Sequence, residues 1–261
     1  MNYSSEDIIN FLSKDHGEIL VFNEIDSTNN YIKEHADSLP DRSVVCALRQ
    51  ISGRGRRGHS FFSPDGGVYF SVYIRTDGQC ENVAAITSCA AVCISDSILA
   101  LTGLSPRIKW VNDILIDNKK ICGILCEALA SPEGRIYGII CGVGINLFCP
   151  PGGFPDEISN IAAAISDLAA PPDPAQMIAD IVDRIFSFAP AFDTSRFIGS
   201  YIDRSLVIGK NIDIISSEGT NTAFVESIRD DASLLVRYPD GSEAIVNSGE
   251  ISIKIQEKQN G

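Results

Sequence analysis

The chain has 261 residues, 44% of them hydrophobic and 21% charged, so it suits one large domain, or one mid-sized domain with a small appendage, around a real core. Its net charge of −13 opposes broad electrostatic attraction to nucleic acid, yet leaves room for a local basic site that takes an anion. No apolar run is expected to reach the roughly 18 residues of a membrane span. The acidic start MNYSSEDIINFLSKDHGE lacks the basic and apolar regions of a signal peptide, so the expected location is cytoplasmic, with no membrane partner.

In chain order, helix signals come at Glu6–Leu12 and at Ser27–Ala36, where Ser27 or Thr28 can cap NNYIKEHA. Val44–Leu48 reads as a buried strand, and ISGRGRRGHS then breaks all periodicity. In Gly67–Ile74, Val68, Phe70 and Val72 alternate against Tyr69, Ser71 and Tyr73, the period of a strand. Val83–Leu101 is apolar nearly all round, as a buried helix is. Ile108–Ile116 and Lys120–Ala128 read as strands joined across Asp117-Asn118, and Arg135–Ile145 follows as another. Pro171, Pro172 and Pro174 lead into a helix over Ala175–Phe188, with Met177, Ile178, Ile181, Val182, Ile185 and Phe186 on one side. A short helix over Ser195–Asp203 comes next. From Leu206 the runs NIDII, TAFVESI, SLLVRYP, EAIV and ISIKI are short strands between turns. The expected architecture is α+β: an antiparallel or mixed sheet backed by helices in residues 1–205, then a small β-barrel in residues 206–261.

The eight cysteines form no CxxC pairs, and most lie in apolar runs. They read as buried small hydrophobes in a reducing compartment.

Five constellations carry chemistry. Gly53-Arg54-Gly55-Arg56-Arg57-Gly58 combines glycines, whose bare backbone N–H groups converge on an anion, with planar guanidinium forks suited to phosphate and carboxylate. A basic localisation patch or a nucleic-acid contact is the plainer reading. Lys109-Trp110-Val111-Asn112-Asp113 offers a carboxylate and an amide that can hold Mg²⁺ beside substrate phosphates, or simply a structural ion pair. In Lys120-Ile121-Cys122-Gly123, strict alternation puts Cys122 and Ile124 on the side of Lys120, and Ile121 and Gly123 on the other. Lys120 is then either a solvated hairpin lysine or aimed at a pocket floored by Gly123. Gly142-Val143-Gly144-Ile145-Asn146 strips one face of a strand of side chains, which permits close approach of a ligand. Asp26-Ser27-Thr28-Asn29 sets hydroxyls and amides at a helix start, for a polar head group or as a plain cap.

Taken in order, DSTN, Q–x–x–GRGRRG, FSP–G, KW–x–ND, K–x–x–GIL and G–x–GIN resemble the biotin–protein ligase family, densely over Glu24–Asn146 and more loosely in the C-terminal part. The resemblance implies a catalytic domain related to class II aminoacyl-tRNA synthetases. It further implies that biotin and MgATP form biotinyl-adenylate, from which biotin passes to a lysine of a biotin carboxyl carrier domain. By position it gives Ser27, Thr28, Asn29, Gln50, Gly53, Arg54, Arg56, Lys120, Gly123, Gly142 and Gly144 to biotin. Arg56, Arg57, Phe61, Asn112, Asp113 and Asn146 go to ATP, Asp113 to the metal, and catalytic charge to Lys120, Arg54 and Arg56. His59, Phe61 and Val111 depart from the family's usual Arg or Lys, Trp and Pro. The short segment before Asp26 leaves no room for the helix-turn-helix of bifunctional members, so no DNA partner is expected, while a homodimer is left open. A lipoate–protein ligase is the nearest rival, and a biotin sensor without turnover is the rival from another class.

Overall fold

The computed structural model describes residues 2–76, 83–189, 191–216, 219–247 and 252–255; for Arg57, Ser216 and 252–255 it describes the backbone alone. The first part holds helices α1 (Ser5–Phe11), α2 (Thr28–His35), α3 (Val83–Thr102), α4 (Asp156–Ser159), α5 (Pro174–Phe188) and α6 (Ile198–Asp203). Strands β1 (Ile19–Phe22), β2 (Val44–Ala47), β3 (Val68–Arg75), β4 (Arg107–Lys109), β5 (Asp113–Ile116), β6 (Lys119–Ala130) and β7 (Ile136–Ile145) form one seven-stranded sheet, ordered β1-β2-β3-β7-β6-β5-β4. All its pairings are antiparallel except that of β1 with β2. Strands β8 (Asn211–Ser216), β9 (Gly219–Ile228), β10 (Leu234–Arg237), β11 (Glu243–Val246) and β12 (Ser252–Ile255) form a second, antiparallel sheet, ordered β11-β10-β9-β8-β12. The α+β expectation holds.

Period-two patterning decides which face of the main sheet does what. From β3, Val68, Phe70, Val72 and Ile74 join Ile139, Cys141, Val143 and Ile145 of β7 in the main core, under α1, α3 and α5. On the other face, Val45, Tyr73 and Ile140 pack against Ile32, Ala36 and Leu39, at and just beyond α2. Ser71, Gly142 and Gly144 share that second face; the first two lie against Thr28 and Asn29 at the very start of α2, and a slot lies beside them.

Helix α3 corrects the expectation that no apolar run nears a membrane span. By length and composition its 20 residues pass that test, but most of them are buried inside the fold, as the core helix of a globular layer is. The single strand expected over Ile108–Ile116 is two, β4 and β5, folded back on each other. The hairpin across Asp117 and Asn118 is present, with φ of 49° and 62° at the two turn residues.

The second sheet is tied to the first at Trp110. Its side chain is buried, and its indole N–H donates to the Ala232 carbonyl at 2.7 Å, while Arg107 bonds the carbonyls of Arg204 and Ser205. Trp110→Phe keeps the ring but orphans a buried carbonyl, so it is expected to cost about 1–3 kcal/mol. Denaturant unfolding of both proteins measures the difference, and an unchanged midpoint would refute the linkage.

Candidate functional site

On that open face lies a cavity of about 220 Å³. Its floor comes from strand register. Asp113 pairs with Gly123, Gly123 with Gly144 and Gly144 with Tyr69, one continuous cross-strand row; Ser71, Gly142 and Leu125 form the next. Glycine inside a strand costs roughly 0.5–1 kcal/mol each, so three bare positions here are a stability cost that yields space.

A bulge corrects the expected facing of Lys120. Ile114 pairs with Cys122 and Leu115 with Lys120, so Ile121 is an extra residue in β6. Ile121 and Cys122 both turn into the core, and Lys120 emerges on the face of Gly123. Its backbone is pinned there: N–H donates to Ile161 O at 2.7 Å, and its carbonyl accepts from Ala163 N at 3.1 Å. Lys120 Nζ lies 2.7 Å from Asp113 Oδ1 and 5.5 Å from the centre of the Phe61 ring.

The GRGRRG segment is a small hairpin. Phe61 N–H bonds Gly53 O at 2.8 Å, Gly55 N–H bonds His59 O at 2.7 Å, and Arg54 bridges Ser60; the tip, Arg56–Gly58, is one turn of 3₁₀-helix. Its stem brings Phe61 across the glycine floor, where a Cβ at Gly123 or Gly144 would meet the ring 2.9 Å from Cε2 and Cζ respectively. Arg56 donates to Asn112 Oδ1 at 3.3 Å, next in the chain to Asp113, the partner of Lys120. Arg54, Arg56 and Lys120 therefore face one cavity with the single carboxylate of Asp113, a cationic lining in an acidic protein.

The other end is neutral and polar. The expected side-chain cap of α2 by Ser27 or Thr28 is absent; instead Thr28 N–H donates to Gln50 Oε1 at 2.9 Å. The buried Ser71 hydroxyl sits 2.6 Å from both Thr28 Oγ1 and Asn29 Oδ1. Ser71 has one proton and the amide oxygen has none, so Ser71 donates to Asn29, while the Thr28 hydroxyl has both Ser71 Oγ and, at 3.2 Å, Gln50 Oε1 as acceptors. Both N–H groups of the Asn29 amide are also spent, on Leu125 O at 3.2 Å and Glu127 Oε2 at 2.9 Å. Gln50 Nε2 donates to Ser63 Oγ at 3.0 Å, which in turn donates to Phe61 O at 2.9 Å.

Of the residues singled out in the sequence, Ser27, Thr28, Asn29, Gln50, Arg54, Arg56, Phe61, Asn112, Asp113, Lys120, Gly123, Gly142 and Gly144 line this cavity. Gly53 and Asn146 do not. Gly53 is bare because Ser63 Oγ and Phe61 O pack against it. Asn146 is buried with its amide on the carbonyls of Lys120, at 3.4 Å, and Ala163, at 3.2 Å, so it holds the backbone of Lys120. The side chain of Arg57 lies outside the described residues.

Sequence reasoning missed Ser71, Ser63 and Glu127. Burial alone would raise the Glu127 carboxyl, but hydrogen bonds from Lys33 and Asn29 and the charges of Lys33 and Arg54 outweigh it and hold it below its ordinary range. Burial pushes the Tyr201 hydroxyl up; it stays a donor, to Val111 O at 3.1 Å, beside the Asn112–Asp113 segment.

Known proteins share both the sequence and the fold of this chain. Residues 21–146 match the model of the biotin/lipoate A/B protein ligase family. The chain is 37% identical over 156 residues to the bifunctional ligase/repressor BirA of Bacillus subtilis; the match covers 59% of this chain and 48% of BirA, so it spans about half of that relative's length. It is 30% identical over 236 residues to the biotin–[acetyl-CoA-carboxylase] ligase of Paracoccus denitrificans, covering 84% of this chain and 94% of that one. In fold it is similar to the biotin protein ligase from Aquifex aeolicus solved with biotin and ATP, with a TM-score of 0.79 and 24% identity over 92% of this chain and 99% of that chain. With a relative matched along nearly its whole length and the same fold beneath the motifs, this chain belongs to the biotin–protein ligase family.

Proposed function

We propose that the protein is an ATP-dependent biotin–protein ligase that forms biotinyl-5′-AMP and transfers the biotinyl group to a lysine of a biotin carboxyl carrier domain. One observation carries this reading: cations from two distant stretches of chain, Arg54–Arg56 and Lys120, meet over one bare glycine floor.

The chemistry needs such a place. A biotin carboxylate oxygen attacks the α-phosphorus of ATP, the bond to the β-phosphate oxygen breaks, and pyrophosphate leaves. Both reactants are anions, so the cations that neutralise them lower the barrier most where charge gathers. In this reading Lys120 leaves Asp113 to meet the carboxylate and the phosphoryl oxygens, and Arg56 meets the phosphates from the arginine hairpin. The ring system of biotin lies along Gly142 and Gly144, its polar head at Ser27, Thr28 and Gln50. An acceptor lysine, as free amine, then attacks the acyl carbon of the mixed anhydride, and AMP departs. The hairpin over the slot keeps water away in the interval.

Mg²⁺ fits the residues present. The ion favours one or two carboxylates plus substrate phosphates, and Asp113, partly exposed beside the Asn112 amide, is such a carboxylate. Asp113 and Asn112 would hold it, and it would supply positive charge to the phosphate oxygens. We also place the unit boundary near Ser205, between the two sheets.

Pyrophosphate release on mixing the protein with biotin and ATP, followed by labelling of a carrier domain, tests the proposal. Lipoate in parallel separates the nearest rival, and absence of release with bound biotin would favour a sensor. Arg56→Gly removes the hairpin cation that, in this reading, faces the adenylate. It is expected to let biotinyl-adenylate escape, raising biotinylation of bystander proteins by about tenfold, the loss of one charged hydrogen bond. Labelling still confined to the carrier would remove Arg56 from the loop's holding role.

A further inference from the structure

Glu127 stands on β6, two residues beyond Leu125 in the cavity wall, with its side chain 18% exposed. Two cationic groups and an amide converge on it. Lys33 Nζ is 2.9 Å from Oε1, Asn29 Nδ2 is 2.9 Å from Oε2, and Arg54 Nη1 is 3.3 Å from both oxygens. Arg54 Nη1 also donates to Asn30 Oδ1 at 3.0 Å.

The position of Arg54 gives this contact reach. Its backbone bridges Ser60 across the hairpin stem, one step from the Gly55–His59 bond, so fixing its side chain fixes the stem that carries Arg56. Main-chain bonds at Gly53 and Gly55 close the hairpin on itself; among the described contacts of Arg54, those to Glu127 and Asn30 tie it to the body of the fold. Charge makes an acid the fitting residue. Lys33 and Arg54 share one small site and repel each other, and a single carboxylate accepts from both. An amide of the same shape would leave that repulsion uncompensated.

We propose that Glu127 is a positioning residue that anchors Arg54, and through it the arginine hairpin, over the cavity before any ligand arrives. It acts on no reacting atom. Part of its test rests on the ligase reading, because adenylate escape requires adenylate; the anchor itself does not.

The anchor is read first without ligand, by trypsin. Cleavage after Arg56 and Arg57, the hairpin sites that every variant keeps, follows the population in which the hairpin has opened. Glu127→Gln and Arg54→Met are each expected to speed cleavage within the hairpin about tenfold, the loss of one charge-assisted bond. The double variant should be cut no faster than either single one, and cleavage elsewhere should keep its rate. Lys33→Met, which leaves the carboxylate to Arg54, should be cut at the unmodified rate. Unchanged cleavage of Glu127→Gln, effects that multiply in the double variant, or a fast Lys33→Met would each overturn the anchor. Should Glu127→Gln fail to fold, a fast Arg54→Met with a slow Lys33→Met supports it, and equal rates refute it. In the second arm, Glu127→Gln should still release pyrophosphate from biotin and ATP but label bystander proteins more. If the unmodified protein releases none, the ligase reading fails while the trypsin result still judges the anchor.

Discussion

Lys120→Ala is expected to lower biotin-dependent pyrophosphate release by about 10²–10³, the usual effect of removing one preorganised charge from a reaction centre. Lys120 lies 2.7 Å from Asp113, with its side chain 32% exposed, and its ammonium sits beside the glycine floor, where the proposed mechanism brings the carboxylate and the α-phosphate together. The fold should barely register the change. A partly exposed ion pair contributes about 0–1 kcal/mol at most, and the backbone at 120 is held by the 161–163 segment independently of the side chain. Thermal unfolding beside turnover therefore separates the two effects. Normal turnover in a folded Lys120→Ala protein would remove the central charge from the mechanism.

Gly142→Ala is expected to damage both stability and biotin use. A Cβ at 142 would collide with the Asn29 amide, meeting Cγ at 2.9 Å and Nδ2 at 3.1 Å. That amide has nowhere to go, since Ser71, Leu125 O and Glu127 hold three of its positions. Overpacking of this kind costs about 1–3 kcal/mol. A shift of the polar end of the slot by even an ångström is expected to cost on the order of 10²-fold in kcat/KM for biotin. Gly123→Ala is the comparison: its methyl would meet the edge of the Phe61 ring and the flexible end of Lys120, and both can yield. Equal losses in the two variants would show that crowding against Asn29 is not the cause.

Much of this site is legible in the sequence, because its parts are local patterns. The alternation of β3 assigns Val68, Phe70 and Val72 to the core, and the alternate glycines of β7 declare a stripped face. The arginine–glycine run announces an anion site whatever the fold. What escapes the sequence depends on convergence or on count. Glu127 and Ser71 gain their roles from partners 94 and 43 residues away. The bulge at Ile121 breaks the alternation on which any facing argument rests. Strand β1 is four residues long beside a helix signal, too short to announce itself, and its parallel pairing with β2 is a matter of register. The cap of α2 comes from Gln50, 22 residues downstream, where no local rule looks for it.

Because Ile121 is one residue more than the ladder needs, Lys120 keeps the face of Gly123 only while two successive residues, Ile121 and Cys122, are both held in the core. Regular pleating with every residue from 119 to 123 kept would swing the ammonium round toward the underside of α3, whereas removing Ile121 would leave it on the face of Gly123. The aim of the ammonium thus rests on two greasy neighbours in a row, and a charge at either would loosen it without touching the lysine itself.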